Sequence, residues 1–86
     1  MLFMVIEDFR GGPEAVYARF RERGRMLPEG VEYVDSWVTA DRARCFQLMR
    51  APERGLLDEW IARWDDLVDF EVVPVMTSAE AAALSA

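Results

Sequence analysis

Two short segments carry side chains of unlike chemistry at every second position. The first segment contains Tyr33, Asp35 and Trp37, and the second contains Cys45, Gln47 and Met49. If the segments are antiparallel strands that turn at residues 40–42, directly opposed residues share one face of the sheet. The opposed pairs are then Tyr33 with Met49, Asp35 with Gln47, and Trp37 with Cys45. Apolar groups with a few convergent polar groups are typical of small-molecule pockets, so these residues form our candidate ligand-binding set.

A subunit interface is the alternative interpretation of this face, because Trp, Tyr and Met are enriched at interfaces. The opposite side of the strand pair is apolar and typical of a sheet face on which helices pack. It carries Val34, Ser36, Val38, Phe46 and Leu48. The sequence thus predicts one core face and one face that is a pocket or an interface.

Two carboxylates are candidates for acid or base chemistry. Asp35 would have a raised pKa if it were buried beside Trp37. Glu7, at the end of the first predicted strand, is the second candidate and would form a carboxylate pair with Asp35. Both have structural alternatives, in which Asp35 pairs with Gln47 or an arginine and Glu7 lies at a solvated strand end.

Cys45 has the predicted neighbourhood of an unreactive thiol. A nucleophilic cysteine needs a group that stabilises the thiolate, whereas the predicted neighbour here is the carboxylate of Asp35. A negative neighbour raises the pKa of a thiol. We therefore expect Cys45 to be a packed side chain and not a nucleophile.

Missing residue types exclude several familiar chemistries. The chain contains no histidine, no lysine and no asparagine. Without histidine it lacks the commonest general base and transition-metal ligand, and without lysine it cannot form a Schiff base. Carboxylates could still hold a hard cation, but we predict neither a metal site nor a cofactor.

Charge and hydropathy narrow the classes of partner. With 16 acidic and 10 basic residues the net charge is −6, which repels nucleic acid. No apolar run approaches the roughly 18 residues of a membrane span. The apolar start of the chain lacks the features of a signal peptide, and one cysteine permits no internal disulfide. We expect a cytoplasmic protein that binds neither nucleic acid nor membrane.

The pattern predicts strand, helix, strand, strand, helix, strand. The predicted bounds are Leu2–Asp8, Pro13 to about Arg23, Val31–Val38, Arg44–Met49, a helix from Ala51 and Pro52 to Val68, and Phe70–Met76. Gly24 ends the first helix. Trp60 lies in the apolar stripe of the second helix, which makes its replacement by alanine one of the most damaging changes. Residues 1–77 form one domain, and Thr77 with Glu80 predicts a capping box for an alanine-rich tail helix over residues 78–86.

This order is the split βαβ, or ferredoxin-like, α+β pattern, βαββαβ. It implies a four-stranded antiparallel sheet in the order 4132, with both helices on one face. Pro74 places the last strand at an edge, and apolar residues at both parities place the first strand in the centre. The face without helices then carries Tyr33, Trp37 and Met49, and a second copy of the chain would cover it.

Surface arginines and one linker have structural explanations. Arg19, Arg21, Arg23 and Arg25 are scattered around a polar arc, where we expect surface ion pairs and not an anion site. The expected acidic partners are residues such as Glu59, Asp65 and Asp66. The linker Arg25–Pro28 is either a connection or a pocket lid.

Several segments together resemble a known family. They are 2–7, 23–28, 33–37, 45–49 and 64–70, with the sequences LFMVIE, RGRMLP, YVDSW, CFQLM and WDDLVDF. The chain resembles an uncharacterised group of short prokaryotic proteins that is defined only as a domain of unknown function (number 3303). The resemblance implies the dimeric α/β barrel, in which two ferredoxin-like subunits join their sheets around a cavity, and it implies no particular activity.

Our first functional hypothesis is a homodimer, joined through the sheet face, that binds a small and partly apolar molecule in a cavity between the sheets. A cofactor-free monooxygenase or isomerase that uses Asp35 or Glu7 is the second hypothesis, and the absence of histidine weighs against it. A purely structural dimer without a ligand is the third.

Overall fold

Strands and helices follow one another in the predicted order. The computed structural model describes residues 1–85. Its elements are β1 (Leu2–Phe9), α1 (Pro13–Arg23), β2 (Glu32–Val38), β3 (Arg44–Arg50), α2 (Arg54–Ile61), β4 (Val68–Val75) and α3 (Ser78–Leu84).

The strands form one antiparallel sheet in the order β2-β3-β1-β4, which is the predicted order 4132. The central position of β1 and the edge position of β4, with Pro74, are confirmed. A central strand has a neighbour on each side and apolar residues at both parities. The α+β ferredoxin-like fold is therefore present, while its dimeric assembly stays a prediction.

Proline and glycine set the limits of α1. Pro13 lies in its first turn, where a missing N–H costs no hydrogen bond. Gly24 ends the helix with φ of 67°, and its backbone N–H donates to the carbonyl oxygen of Phe20 at 2.8 Å. A positive φ is the conformation that glycine adopts without steric cost.

The second helix is shorter than predicted. It ends at Ile61, and the chain continues in tight turns, in which the N–H of Trp64 donates to the carbonyl oxygen of Ile61. Val68 already belongs to β4. The apolar stripe misled the prediction because Trp64 is buried in the same layer although it lies in a turn. Arg19 makes a bidentate pair with Asp66 in this turn, at 2.7 Å for both bonds, as expected.

A β-bulge in β2 changes the predicted pairing with β3. Tyr33 lies opposite Met49 as predicted, but Asp35 lies opposite Leu48 and Trp37 opposite Phe46. The predicted pairs of Asp35 with Gln47 and of Trp37 with Cys45 are therefore wrong. The register shifts between Tyr33 and Asp35, where Val34 is an additional residue. One inserted residue moves all following side chains to the other face, because strand side chains alternate with period two.

The assignment of the two sheet faces is also corrected. The face under α1 and α2, here called the covered face, carries Cys45, Gln47 and Met49, which the sequence placed on the bare face. Its members on the central strands are Phe3, Val5, Glu7, Phe9, Cys45, Gln47 and Met49, all of them buried. The other side, here called the open face, carries Leu2, Met4, Ile6, Asp35, Trp37, Phe46, Leu48 and Val73. The helices pack on the side of β1 that carries Phe3 and Phe9. Because Gln47 and Met49 lie opposite residues of that same side of β1, they also lie beneath the helices.

The last element that the structure describes, α3, is a capped helix at the surface. The predicted capping box is present, with the Glu80 N–H donating to Thr77 Oγ1 and the Thr77 N–H donating to Glu80 Oε1, both at 3.1 Å. None of the residues of α3 is buried. Ala86, the last residue of the predicted tail segment, lies outside the described residues. No helix in residues 1–85 has the length and apolarity needed to cross a membrane.

Candidate functional site

A cavity of about 190 Å³ lies between the covered face and the two helices. Its walls are mainly aromatic and aliphatic. The lining residues are Glu7, Phe9, Val16, Tyr17, Phe20, Arg25, Ser36, Val38, Cys45, Gln47, Trp60 and Trp64. An apolar cavity of about 150 Å³ can hold benzene, so this space has room for a ligand with one ring.

Glu7 places a carboxyl group in this apolar surrounding. Its side chain is 7% exposed, and burial raises its pKa from 4.5 to about 7, against the opposing effects of the Gln47 hydrogen bond and the Arg25 charge. Gln47 Nε2 donates to Glu7 Oε2 at 2.5 Å. The other oxygen, Oε1, has no hydrogen-bond partner in residues 1–85. It must therefore be reached by solvent from the cavity, since no side-chain nitrogen or oxygen there is both fully buried and unpaired.

Gln47 connects this carboxyl group to a cation. Its Oε1 accepts a hydrogen bond of 3.0 Å from Arg25 Nε, so Arg25, Gln47 and Glu7 form a continuous polar chain. The guanidinium of Arg25 lies 3.6 Å from the ring centre of Tyr33 and 5.1 Å from that of Phe20. Cation–π contacts on both rings fix the guanidinium at the cavity wall.

The linker after α1 is held in place by its backbone. The indole N–H groups of Trp60 and Trp64 both donate to the carbonyl oxygen of Arg25 at 3.0 Å, and Arg63 Nη1 donates to the carbonyl oxygen of Met26 at 2.5 Å. Met26 has φ of 59°, which is unfavourable for a residue with a side chain. These bonds hold the linker backbone against α2 and the turn that follows it, while the Arg25 side chain lines the cavity.

Cys45 lines the cavity without being reactive. Burial and the charge of Glu7 raise the pKa of its thiol to about 12. Thiolate is then scarce at neutral pH, as expected for a packed thiol. The acidic neighbour is Glu7, which lies directly across the ladder, and not Asp35.

The structure divides the candidate ligand-binding set between the two faces. Cys45 and Gln47 line the cavity, and Met49 is buried in the core of the same face. Tyr33 lies at the edge of the covered face, where its hydroxyl hydrogen-bonds Ser36 Oγ at 2.7 Å.

The remaining candidates, Asp35 and Trp37, lie on the open face and are exposed. Asp35 Oδ1 accepts a hydrogen bond of 2.8 Å from the N–H of Ser36. The predicted carboxylate pair of Glu7 with Asp35 is wrong because the sheet separates the two side chains. Its alternative, a solvated Glu7, is also wrong because Glu7 is buried.

From the sequence, Arg25 was expected in a surface ion pair or in a pocket lid, and the aromatic wall of the cavity was not predicted. The expected ion pair is wrong, because Arg25 makes none within residues 1–85. One signal was available, because Glu7 shares its parity with Phe3, Val5 and Phe9. When a carboxylate occupies one of the alternate positions that are otherwise apolar, on one side of a central strand, it indicates a buried polar group. Arg25 lies in a linker, where sequence pattern predicts no side-chain direction.

The chemistry of the site is that of hydrogen bonding and proton exchange. Glu7 Oε1 is a donor when the carboxyl is protonated and an acceptor when it is ionised. Within residues 1–85, no cluster of three or more His, Cys, Asp or Glu side chains is placed to hold a metal ion.

Comparison with known proteins identifies a family and adds no activity. No curated protein and no solved structure matches the chain. The family model "Domain of unknown function (DUF3303)" matches residues 1–86. The chain therefore belongs to the family DUF3303.

Proposed function

We propose that this protein binds a small, partly apolar molecule in the cavity between the covered face and helices α1 and α2. The observation that carries the proposal is a buried carboxyl group with a free oxygen in an aromatic cavity of about 190 Å³. Binding sites for small molecules combine apolar walls with a few polar groups that fix orientation. Here those polar groups are Glu7, Gln47 and Arg25.

The proposed location differs from the cavity between two sheets that the sequence suggested. All residues that line the cavity belong to one chain, so the proposed binding needs no second subunit. A cavity of this size has room for a single-ring compound. The ligand class is accordingly a molecule with one ring and at least one hydrogen-bonding group.

Titration with benzyl alcohol, followed by amide chemical shifts, tests the proposal. The expected result is a set of saturable shifts in residues around the cavity, such as Val16, Cys45 and Gln47. Val38→Phe supplies a ring at the cavity wall and should weaken binding by about tenfold or more, because it occupies the space of the ligand.

Val34→Phe is the matched control. Val34 lies on the same strand and has a similar exposed fraction, 39% against 42% for Val38, but it does not line the cavity. It should leave the affinity unchanged. Shifts that avoid the cavity, or equal losses in both variants, would contradict the proposal.

A second candidate function is a cofactor-free isomerase with Glu7 as the proton carrier. The observation that favours it is a carboxyl group with a pKa of about 7, because a general base works best when its pKa is near the working pH. Glu7 Oε1 would remove a proton from a carbon next to a carbonyl group, and the C–H electron pair would form an enolate. Return of the same proton to another carbon completes the isomerisation without an oxidant. Asp35 is not part of this proposal because it lies on the open face.

Deuterium exchange into cyclohexanone is a direct assay of this proton removal. The wild-type protein in D2O should accelerate loss of the protons next to the carbonyl group, and the rate should rise with pH up to the pKa of Glu7, about 7. Glu7→Gln should abolish the acceleration while it retains binding, and Asp35→Asn should change neither. Exchange that persists in Glu7→Gln would exclude Glu7 as the base.

A further inference from the structure

We propose that the ligand is a single-ring carboxylic acid, bound as its anion, whose carboxylate pairs with Arg25 while Glu7 takes up a proton. This inference rests on the proposed binding function and specifies its ligand class. It depends on one positive charge at the cavity wall, that of Arg25, in a chain whose net charge is −6.

The cavity wall carries a cation, Arg25, that makes no direct ion pair within residues 1–85. No carboxylate oxygen of residues 1–85 forms an ion pair with the Arg25 guanidinium, although the chain has a net charge of −6. Arg25 Nε is used by Gln47, whereas its two terminal nitrogens have no hydrogen-bond acceptor among these residues. Two parallel N–H groups of an arginine match the oxygens of a carboxylate.

Two aromatic rings hold the guanidinium of Arg25 in a fixed position. Tyr33 and Phe20 stack on the guanidinium, and Phe20 also lines the cavity. A ligand ring inside the cavity can therefore lie against Phe20 while its carboxylate reaches the terminal nitrogens of Arg25. A guanidinium that is already ordered loses less conformational entropy on binding.

The charge state of Glu7 affects how strongly the cavity binds an anion. The charged or titratable residues that line the cavity with it are Cys45 from β3, Arg25 from the linker and Tyr17 from α1. The neighbouring side chains from β2, β4, α2 and the turn after α2 are uncharged: Ser36, Val38, Phe70, Trp60 and Trp64. An ionised Glu7 would repel a ligand carboxylate in this apolar surrounding, so the anion binds together with a proton.

Two probes of equal ring size separate this inference from the proposed function. Benzoate is the anionic probe and benzyl alcohol the neutral one, each titrated into the full chain and followed by amide shifts. The variants are Arg25→Gln, Arg25→Lys and Glu7→Gln, with Arg21→Gln as an exposed charge control. Titrations at pH about 6 and about 8 lie one unit on either side of the pKa of Glu7, about 7.

The expected results are specific. Arg25→Gln should weaken benzoate binding by about tenfold or more and benzyl alcohol by less than about threefold, with Arg25→Lys in between. Arg21→Gln should change neither affinity. Benzoate affinity in the wild type should fall by up to about tenfold from the lower to the higher pH, and Glu7→Gln should remove that fall because it is neutral at both.

Each contrary result has one meaning. If benzyl alcohol binds in the cavity but benzoate binds no better and ignores Arg25→Gln, the inference is wrong and the proposed function stands. If neither probe binds to the folded wild type, both are wrong. A benzoate affinity that falls equally with pH in Glu7→Gln would remove Glu7 from the proposal.

Discussion

Gln47 Nε2 donates a hydrogen bond of 2.5 Å to Glu7 Oε2 inside an otherwise apolar layer. The two residues lie on neighbouring strands, and both are 7% exposed. Their bond leaves only Glu7 Oε1 for exchange with the cavity. The protonation state of Glu7 therefore affects both the free energy of unfolding and the hydrogen bonding in the cavity.

The free energy of unfolding should depend on the charge of Glu7. Its pKa is about 7 in the folded protein and near 4.5 when exposed, so the folded state binds more protons between these values. Stability from this residue is complete below pH about 4.5 and is lost as pH rises to about 7. The loss is about 3 kcal/mol in total, as expected for a shift of this size.

Glu7→Gln removes this dependence, because glutamine keeps the acceptor for Gln47 and carries no charge. Urea denaturation across the pH range should show a variant that is more stable than the wild type above pH about 7. Glu59→Gln changes an exposed glutamate in α2 and should leave the pH profile as it is. Identical profiles for Glu7→Gln and the wild type would show that Glu7 is solvated.

Strong local signals explain why the fold was predictable. Pro74 marks an edge strand because proline cannot donate to a central ladder, and Gly24 ends α1 because it adopts a positive φ. These effects act within a few residues of the chain. Such local effects do not depend on which distant segments of the chain come into contact in the folded protein.

The site was less predictable because one inserted residue decides which side chains meet. Val34 forms the bulge, and neither it nor its neighbours are glycine, so no local signal marks the register shift. The bulge keeps Tyr33 on the covered face and moves Asp35 and Trp37 to the open face. Sequence alternation alone cannot show such a shift, since its period is two on either side of the bulge.

Cys45 should react very slowly with thiol reagents while the protein is folded. Burial and the charge of Glu7 raise its pKa from 9.0 to about 12, which lowers the thiolate fraction roughly a thousandfold at pH about 8. The rate of reaction with Ellman's reagent should rise to that of a free thiol when urea unfolds the chain. Fast labelling of the native protein would contradict the position of Cys45 beneath the helices.

Trp60→Ala should be strongly destabilising. Trp60 is 2% exposed, its ring packs edge-on against Phe70 at 6.1 Å, and its indole N–H donates to the carbonyl oxygen of Arg25. Removal of a buried tryptophan side chain costs about 3–5 kcal/mol. Urea denaturation measures this loss as a lower midpoint.

Trp60→Phe separates the contribution of packing from that of the hydrogen bond. It keeps most of the ring, and the carbonyl oxygen of Arg25 still accepts from Trp64. The loss should therefore be smaller than that of the alanine variant, at about 1–2 kcal/mol. Equal losses in the two variants would mean that the ring does not fill the core as described.

Dimerisation through the open face stays a prediction, and the structure defines the residues that test it. Trp37 is 52% exposed and lies opposite Phe46, which is itself opposite Ile6 on β1. Large exposed apolar patches of this kind mark interaction surfaces, and a two-fold partner would bury the patch against its own copy.

Light scattering after size exclusion should give twice the mass of one chain for the wild type. Trp37→Asp should shift the equilibrium to the monomer, because it would place two carboxylates in an apolar contact related by symmetry. Leu84→Asp is the control, since Leu84 is 78% exposed on α3 and lies outside the open face. A wild-type protein that is monomeric at high concentration would contradict the predicted dimer but leave the cavity proposal intact, because all walls of the cavity come from one chain.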